Sequence, residues 1–415
     1  MHLIGSALES IPMTHRNLWP RKPGRLCEID DGNLYSDPSL SSNCSDVTQI
    51  PHEHLADVLA TPRNGSVSSS LVTGPSLSEV IDKLLNQSPL SEFVKCVQDL
   101  HVQPTDMSPK LALLHVRFQE DIPNTISLAD FLSSQAVNYA LSRRRRDAYM
   151  AQLASGKNGD LSITSQIHKA VKSAFIQFRK EYPSRASEVG EVLAYCVAVH
   201  HLNAAQLVAK MSLKTSTNMP VHGLDGIHAS VKDGLLQIFF LESKLAGTAA
   251  SGTADYAESI AGFGSNKKQY LQEYGLARDL GNLDALPQAD KDRLMEYLDV
   301  FNFPNAPKRE RSVGIICYSE SQHFANKLPV DDGALDKHEV HFGNLYANDH
   351  KRHHKNVSNQ LKKHGVDANK CMLYLVAVPD VDELRELFYD SLGILPAPSD
   401  AALTVPSPGE DVSDE

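Results

Sequence analysis

The hydrophobic pattern changes character along the chain. Up to about residue 75 it holds no sustained period. Ser, Asn, Asp, Pro and Gly recur there, and Asn64-Gly65-Ser66-Val67-Ser68-Ser69-Ser70 has linker composition, which predicts a disordered extension. Periodicity begins near Ser76. Residues 78–100 read as one or two helices and 110–118 as a strand. Residues 127–154 read as one long helix, opened by Ser127 and Asp130 in a capping arrangement. Amphipathic helices follow at 161–181 and 184–201, then strands at 207–213, 221–231 and 235–245. A helix at 254–280, broken near Gly262-Phe263-Gly264, and another at 289–300 come next. Short continuous apolar runs at 313–318 and 371–378 read as buried strands, with helices at 351–363 and 381–392. From Leu395 on, the chain has five acids and neither Lys nor Arg, which predicts a disordered acidic tail. The alternation over 160–394 predicts an α/β domain with a central sheet flanked by helices, preceded by an α-rich region at 76–159.

The sharpest local signal is Asp233-Gly234 between two β-prone apolar runs, a two-residue hairpin turn. With that turn Lys232 pairs with Leu235 and opposed positions sum to 467, so Asp225 is expected across from Glu242. Opposed residues share a face, and Lys244, two residues on, stays on it. The same face carries Ile227, Ala229, Ile238 and Phe240, so both acids sit at the edge of a buried surface. Unpaired charge is expensive there, and neighbouring carboxylates repel unless a cation or a shared proton holds them. The opposite face, with His228, Ser230, Gln237 and Ser243, reads as more solvent-facing. A third acid is expected from the helix at 184–201. Glu191 stands on its apolar stripe with Ala194, Tyr195, Ala198 and Leu202, and Glu188, one turn earlier, is the rival. An Asp, a Glu and a Lys converging in this way suit Mg²⁺ or Mn²⁺ and an activated water. A strand-end Asp beside an ordinary surface Glu–Lys pair is the bland alternative.

The net charge of −11 speaks against a general nucleic-acid binder, although a local basic groove is compatible with it. The six cysteines contain no CxxC pair, which speaks against a zinc module or a disulfide framework. No run of about 18 apolar residues exists and no basic leader precedes an apolar segment, so no membrane span and a cytoplasmic setting are expected. The run Arg143-Arg144-Arg145-Arg146 spreads around a helix. It reads as a solvated surface, or else as a phosphate contact or a partner-docking site. His338, His341, His350, His353 and His354, interleaved with Lys351, Arg352 and Lys355, read as a basic helix end rather than a zinc site, since no third ligand is evident. His222 and His228 flank Asp225, where they either steer a phosphate or bond within the hairpin.

Several of these segments together resemble the HamA family. They are Gly190-Glu191, Lys210-Met211-Ser212-Leu213-Lys214, His222-Gly223-Leu224-Asp225-Gly226-Ile227-His228, Leu241-Glu242-Ser243-Lys244 and Tyr256-Ala257-Glu258-Ser259-Ile260. The resemblance covers roughly residues 80–390 and is sharpest over 185–262. It implies a PD-(D/E)xK-like nuclease core, with Leu224 where the fold's name has proline. It further implies Asp225 and Glu242 as metal ligands, Lys244 activating water, and Glu191 completing the site. The expected role is that of the nuclease subunit of a Hachiman anti-phage system, an Mg²⁺-dependent deoxyribonuclease acting on DNA and restrained by a partner helicase, HamB. Candidate nucleic-acid contacts are Lys214, His228, Arg143, Arg144, Lys351 and Arg352. A non-catalytic DNA-binding or scaffold subunit, and a stand-alone restriction-like endonuclease, are the alternatives.

Overall fold

The two continuous apolar runs form the centre of a seven-stranded sheet, where both faces are covered. The structure, a computed structural model, describes residues 75–394 apart from 105, 157–160, 182–186, 215–222 and 280. The expected N-terminal extension and acidic tail lie outside the described residues. The strands are β1 (Val94–Gln98), β2 (Lys110–Val116), a small separate hairpin of β3 (Phe118–Gln119) and β4 (Ile122–Pro123), β5 (Ala205–Gln206), β6 (Gly226–Lys232), β7 (Leu235–Ala246), β8 (Lys308–Ser319) and β9 (Cys371–Val378). The main sheet runs β1-β2-β9-β8-β7-β6-β5. Its middle, β2-β9-β8-β7, is parallel, and both edges are antiparallel. Parallel strands covered on both faces need apolar side chains on both, which explains why β8 and β9 lack alternation.

The helices are α1 (Leu77–Leu84), α2 (Thr125–Ala140), α3 (Arg143–Ser155), α4 (Ser162–Glu181), α5 (Glu188–Leu202), α6 (Lys210–Lys214), α7 (Ala249–Ser265), α8 (Lys267–Asp279), α9 (Gln288–Leu298), α10 (Ser321–Ala325), α11 (Lys337–Asn348), α12 (His350–Lys363) and α13 (Val381–Ser391). Helix α1 opens with a reciprocal capping box between Ser76 and Glu79. Helix α5 closes on Asn203, whose left-handed φ of 46° ends the helix. Helix α5 packs on one face of β7 and β8, and α7 packs on the other.

Four expectations change. The stretch read as α-rich contributes β1 and β2 to the sheet. The single helix at 127–154 is two, parted at Leu141-Ser142, and it starts at Thr125 behind an Asn124 cap rather than at Ser127. In place of the strand at 207–213 the chain has a loop and the short helix α6, with the two-residue strand β5 just before the loop, and α11 is an element the pattern does not predict. Among the described residues, no helix is long and apolar enough to cross a membrane.

Candidate active site

The hairpin keeps the expected register and then leaves it. Asp233 and Gly234 take the left-handed φ values of 53° and 74° that a two-residue turn of this hand requires. Pairing runs from Lys232–Leu235 to Gly226–Leu241 without a shift. One residue further the ladder slips, and the Asp225 N–H donates to the Leu241 carbonyl at 2.9 Å. The Asp225 carboxylate then turns to β7 itself. Its Oδ2 accepts from the Ser243 N–H at 2.7 Å and from the Ser243 hydroxyl at 2.6 Å. The flat cross-strand pair of Asp225 and Glu242 is therefore replaced by Asp225 anchored on the residue next to Glu242. Alternation along a strand does not bind a residue that precedes the ladder, which leaves Asp225 able to turn.

Glu242 itself is buried, and its Oε1 accepts from the Lys244 ammonium at 2.7 Å. Burial works against the charge on Lys244. The Glu242 carboxylate, by charge and by hydrogen bond, and then Asp225 and Asp255 more than offset it, so the lysine pKa lies above its ordinary value. Lys244 is thus a firmly held cation inside a ring of acids, suited to meeting an anion and unsuited to taking a proton.

The two candidate helix acids have separate partners. Glu191 accepts from the Tyr139 hydroxyl of α2, and Glu188 from the Tyr389 hydroxyl of α13. Burial first, then the charges of Glu191, Asp225 and Glu188, push the Tyr139 pKa well above the ordinary tyrosine range. Tyr139 is therefore a neutral donor to Glu191 that also feels the Asp225 charge. Gly190 lets α5 approach this region of β7, because a Cβ there would lie 3.2 Å from Leu245 and 3.8 Å from the Ser243 hydroxyl. Among the described residues, no three His, Cys, Asp or Glu side chains gather closely enough to share one metal ion. Asp225 and Glu242 alone offer an all-oxygen, two-carboxylate donor set. That fits a hard cation of the Mg²⁺ kind, which takes one or two carboxylates and completes its shell with water and phosphate.

A part of the site invisible in the hydrophobic pattern lies just before Asp225. Lys210 of α6 and Glu273 of α8 form an ion pair at 2.6 Å, with 2% and 1% side-chain exposure. Lys210 also donates to the Leu224 carbonyl, and Glu273 accepts from the Leu224 N–H at 3.2 Å. Both polar groups of the peptide preceding Asp225 are thereby held by one buried pair. Gly223 is required by the same packing. Its φ is 148°, and a Cβ would fall 2.2 Å from a Glu273 oxygen. Lys210 stood in the motif seen in the sequence, whereas Glu273, remote in sequence, gave no signal.

The remaining candidates separate. His228 is 1% exposed, with its ring beside Tyr195, and burial alone presses its pKa down to about 3. It faces the core, so the expected phosphate contact there is corrected. His222 lies outside the described residues, as does the side chain of Lys214, which closes α6. The Arg143 N–H donates to Asn282, and its guanidinium is 3.8 Å from Asp147. Arg146 is tied to Asn86 and Asn138, while Arg144 is exposed. Lys351 is exposed, and Arg352 pairs with Asp349. The histidines do not converge on one point. His350 and His354 lie against the Leu111 and Pro109 carbonyls, His338 pairs with Asp121, and His353 is buried beside Tyr318 and Tyr346.

A family model described as HamA matches residues 91–392. The chain belongs to the HamA family. No curated protein matches it. The HamA match spans every element that builds the site, from Tyr139 of α2 to Tyr389 of α13. HamA membership points to a part in Hachiman-type defence.

Proposed function

We propose that this HamA chain is a metal-dependent nuclease of the PD-(D/E)xK type, acting on DNA as the effector of a Hachiman-type defence complex with a helicase partner. The observation that carries this reading is that Asp225, bonded to Ser243, and the Glu242–Lys244 pair sit at the end of one hairpin, where the Asp225 charge helps keep Lys244 protonated. Isolated surface charges would not sit beside a core strand with a lysine held charged between acids. Asp225 and Glu242 are the residues that would hold Mg²⁺ or Mn²⁺. Bound there, the ion would polarise the phosphoryl oxygen and stabilise charge on the leaving oxygen. Lys244 supplies a fixed positive charge and N–H donors to a non-bridging phosphate oxygen or to the attacking water, and so favours the more negative transition state. Ser243 orients the Asp225 carboxylate, and the Lys210–Glu273 pair fixes the backbone that presents it. Glu191, bonded by Tyr139, adds negative potential on the α5 side rather than a third shared ligand.

The test is plasmid cleavage with Mg²⁺ or with EDTA, comparing wild type with Glu242→Ala, each with and without the partner helicase. Metal-dependent cleavage by wild type alone supports the reading. Equal cleavage by Glu242→Ala overturns the site. No cleavage under any condition, together with no Mg²⁺ binding, favours a non-catalytic subunit.

A further inference from the structure

The sheet face that carries Ser243 does not stay covered along its whole length. Helix α5 lies over its upper part and stops at Leu202, and below it the face opens into a groove of about 870 Å³. Ser230 and Gln237 line this groove, as do Lys232, Arg309 and Arg311. Arg309 pairs in register with Gln237, and Arg311 with Phe239, so the two arginines stand on one face of β8. Two residues apart on a strand, they are about 6.7 Å from each other. Among the described residues neither has an ion-pair partner, and Lys232 has none either. The acids on the rim are Asp106 and Asp233. Burial first, then the neighbouring Arg309 charge, press the Arg311 pKa down. Asp367 offsets part of the charge on Arg311. Two like charges held side by side on a rigid strand still carry a standing cost that a bound anion would relieve.

We propose that this groove binds the phosphate backbone of a nucleic-acid single strand, with Arg309 and Arg311 on neighbouring phosphates and Lys232 at the groove's mouth. The groove is open rather than enclosed, and two evenly spaced arginines suit a repeating polyanion better than a single small phosphate. Gln237 and Glu242 are five residues apart on β7, about 17 Å along the strand, and alternation points them to opposite faces of the sheet. A strand held in the groove must therefore pass around the open end of β7, beyond the last β6 pair, to reach the candidate site. The proposal rests on the nuclease reading only for the choice of nucleic acid as the polyanion.

The experiment uses the full chain carrying Glu242→Ala in EDTA, so that no cleavage interferes. Fluorescence anisotropy follows a labelled 20-nucleotide single strand across a salt series. Adding Arg309→Ala and Arg311→Ala together should weaken binding about tenfold. It should also flatten the slope of log affinity against log salt by about 1.4, two phosphates at roughly 0.7 each. Lys232→Glu, at the exposed hairpin turn, should weaken binding without any risk to the fold. Unchanged affinity and slope in both variants overturn the groove, as does a Glu242→Ala parent that does not bind the strand. If the groove variants bind normally while wild type cleaves, the groove fails and the nuclease reading stands. If they bind weakly while wild type never cleaves, the reverse holds.

Discussion

The protein holds two lysine–glutamate pairs of the same chemistry in opposite settings. Lys210–Glu273 is sealed in the core with both side chains almost fully buried, and its spare bonding capacity goes to the Leu224 peptide. Lys244–Glu242 sits at the edge of the sheet, with the lysine 24% exposed and two further acids acting on it. The first pair has a backbone to hold and no route to solvent. The second has an open side on which a substrate phosphate can approach. A buried ion pair costs most when one partner is removed, because the other charge stays behind without compensation. The Lys244–Glu242 pair loses less stability on the same change, because Lys244 is 24% exposed and water can reach the pair, and the larger part of its loss is function.

The largest effect that separates the two pairs should come from Lys210→Met. It strands Glu273 in the core and should lower unfolding free energy by about 3–5 kcal/mol, measured by urea denaturation. The double change to Lys210→Met with Glu273→Leu should recover the part due to the stranded charge and leave a residual loss of about 1–3 kcal/mol for each unsatisfied Leu224 backbone group. A double variant as stable as wild type would contradict the account of the clamp. Next, Lys244→Met should cut cleavage by about 10²–10³-fold while lowering stability less than Lys210→Met does, because the Lys244–Glu242 pair is partly open to water. A loss of cleavage matched by an equal loss of fold would erase the distinction between the pairs.

The pH dependence divides the regions further. Burial, the largest cause for each, holds His115, His201 and His353 down at about 4. The unfolded chain binds protons at these groups from about pH 6.5 downward while the folded chain does not. Their stabilising contribution is therefore complete above 6.5 and is lost as the pH falls towards 4. The cost is about 1.4 kcal/mol per pH unit for each group. Lys244 has the opposite sign. Its raised pKa contributes stability that is complete below the ordinary lysine value and is lost as pH rises through the folded one. Thermal melts from pH 4 to 11 should show a steep acid limb from the core and a shallow alkaline limb to which Lys244→Met no longer contributes. The smallest effect is expected from Ser243→Ala, which removes the hydroxyl bond to Asp225 and leaves the N–H bond in place. About 1 kcal/mol, read as a several-fold fall in cleavage, is the expected size.

The comparison also explains what could be read ahead of the structure. The hairpin turn, its register and the acid–lysine end of β7 follow from local chemistry, since Asp-Gly selects one turn and the turn selects the pairing. The slip at Asp225 does not follow, because it depends on a Ser243 hydroxyl that alternation assigns to the other face. Residues 207–213 read as a strand on their apolar run. The run is instead broken where Lys210 turns inward to meet Glu273, a partner 63 positions away that no periodicity reports. Residues Val94–Gln98 read as part of a helix because a five-residue edge strand carries too few positions to establish a period of two.

Helix α7 touches the sheet through an unusual absence of side chains. Gly252 on the helix lies where a Cβ would come within 2.4 Å of Ile316, and Gly314, the β8 partner of Glu242, lies where one would come within 2.8 Å of the Tyr256 ring. One missing methyl on each side sets how low the helix rides. Asp255, which acts on Lys244, travels with that helix. A single carbon added at position 314 would therefore lever the helix outward and retune the field at the lysine without touching a ligand, a base or a substrate contact. The site can be adjusted from its back wall.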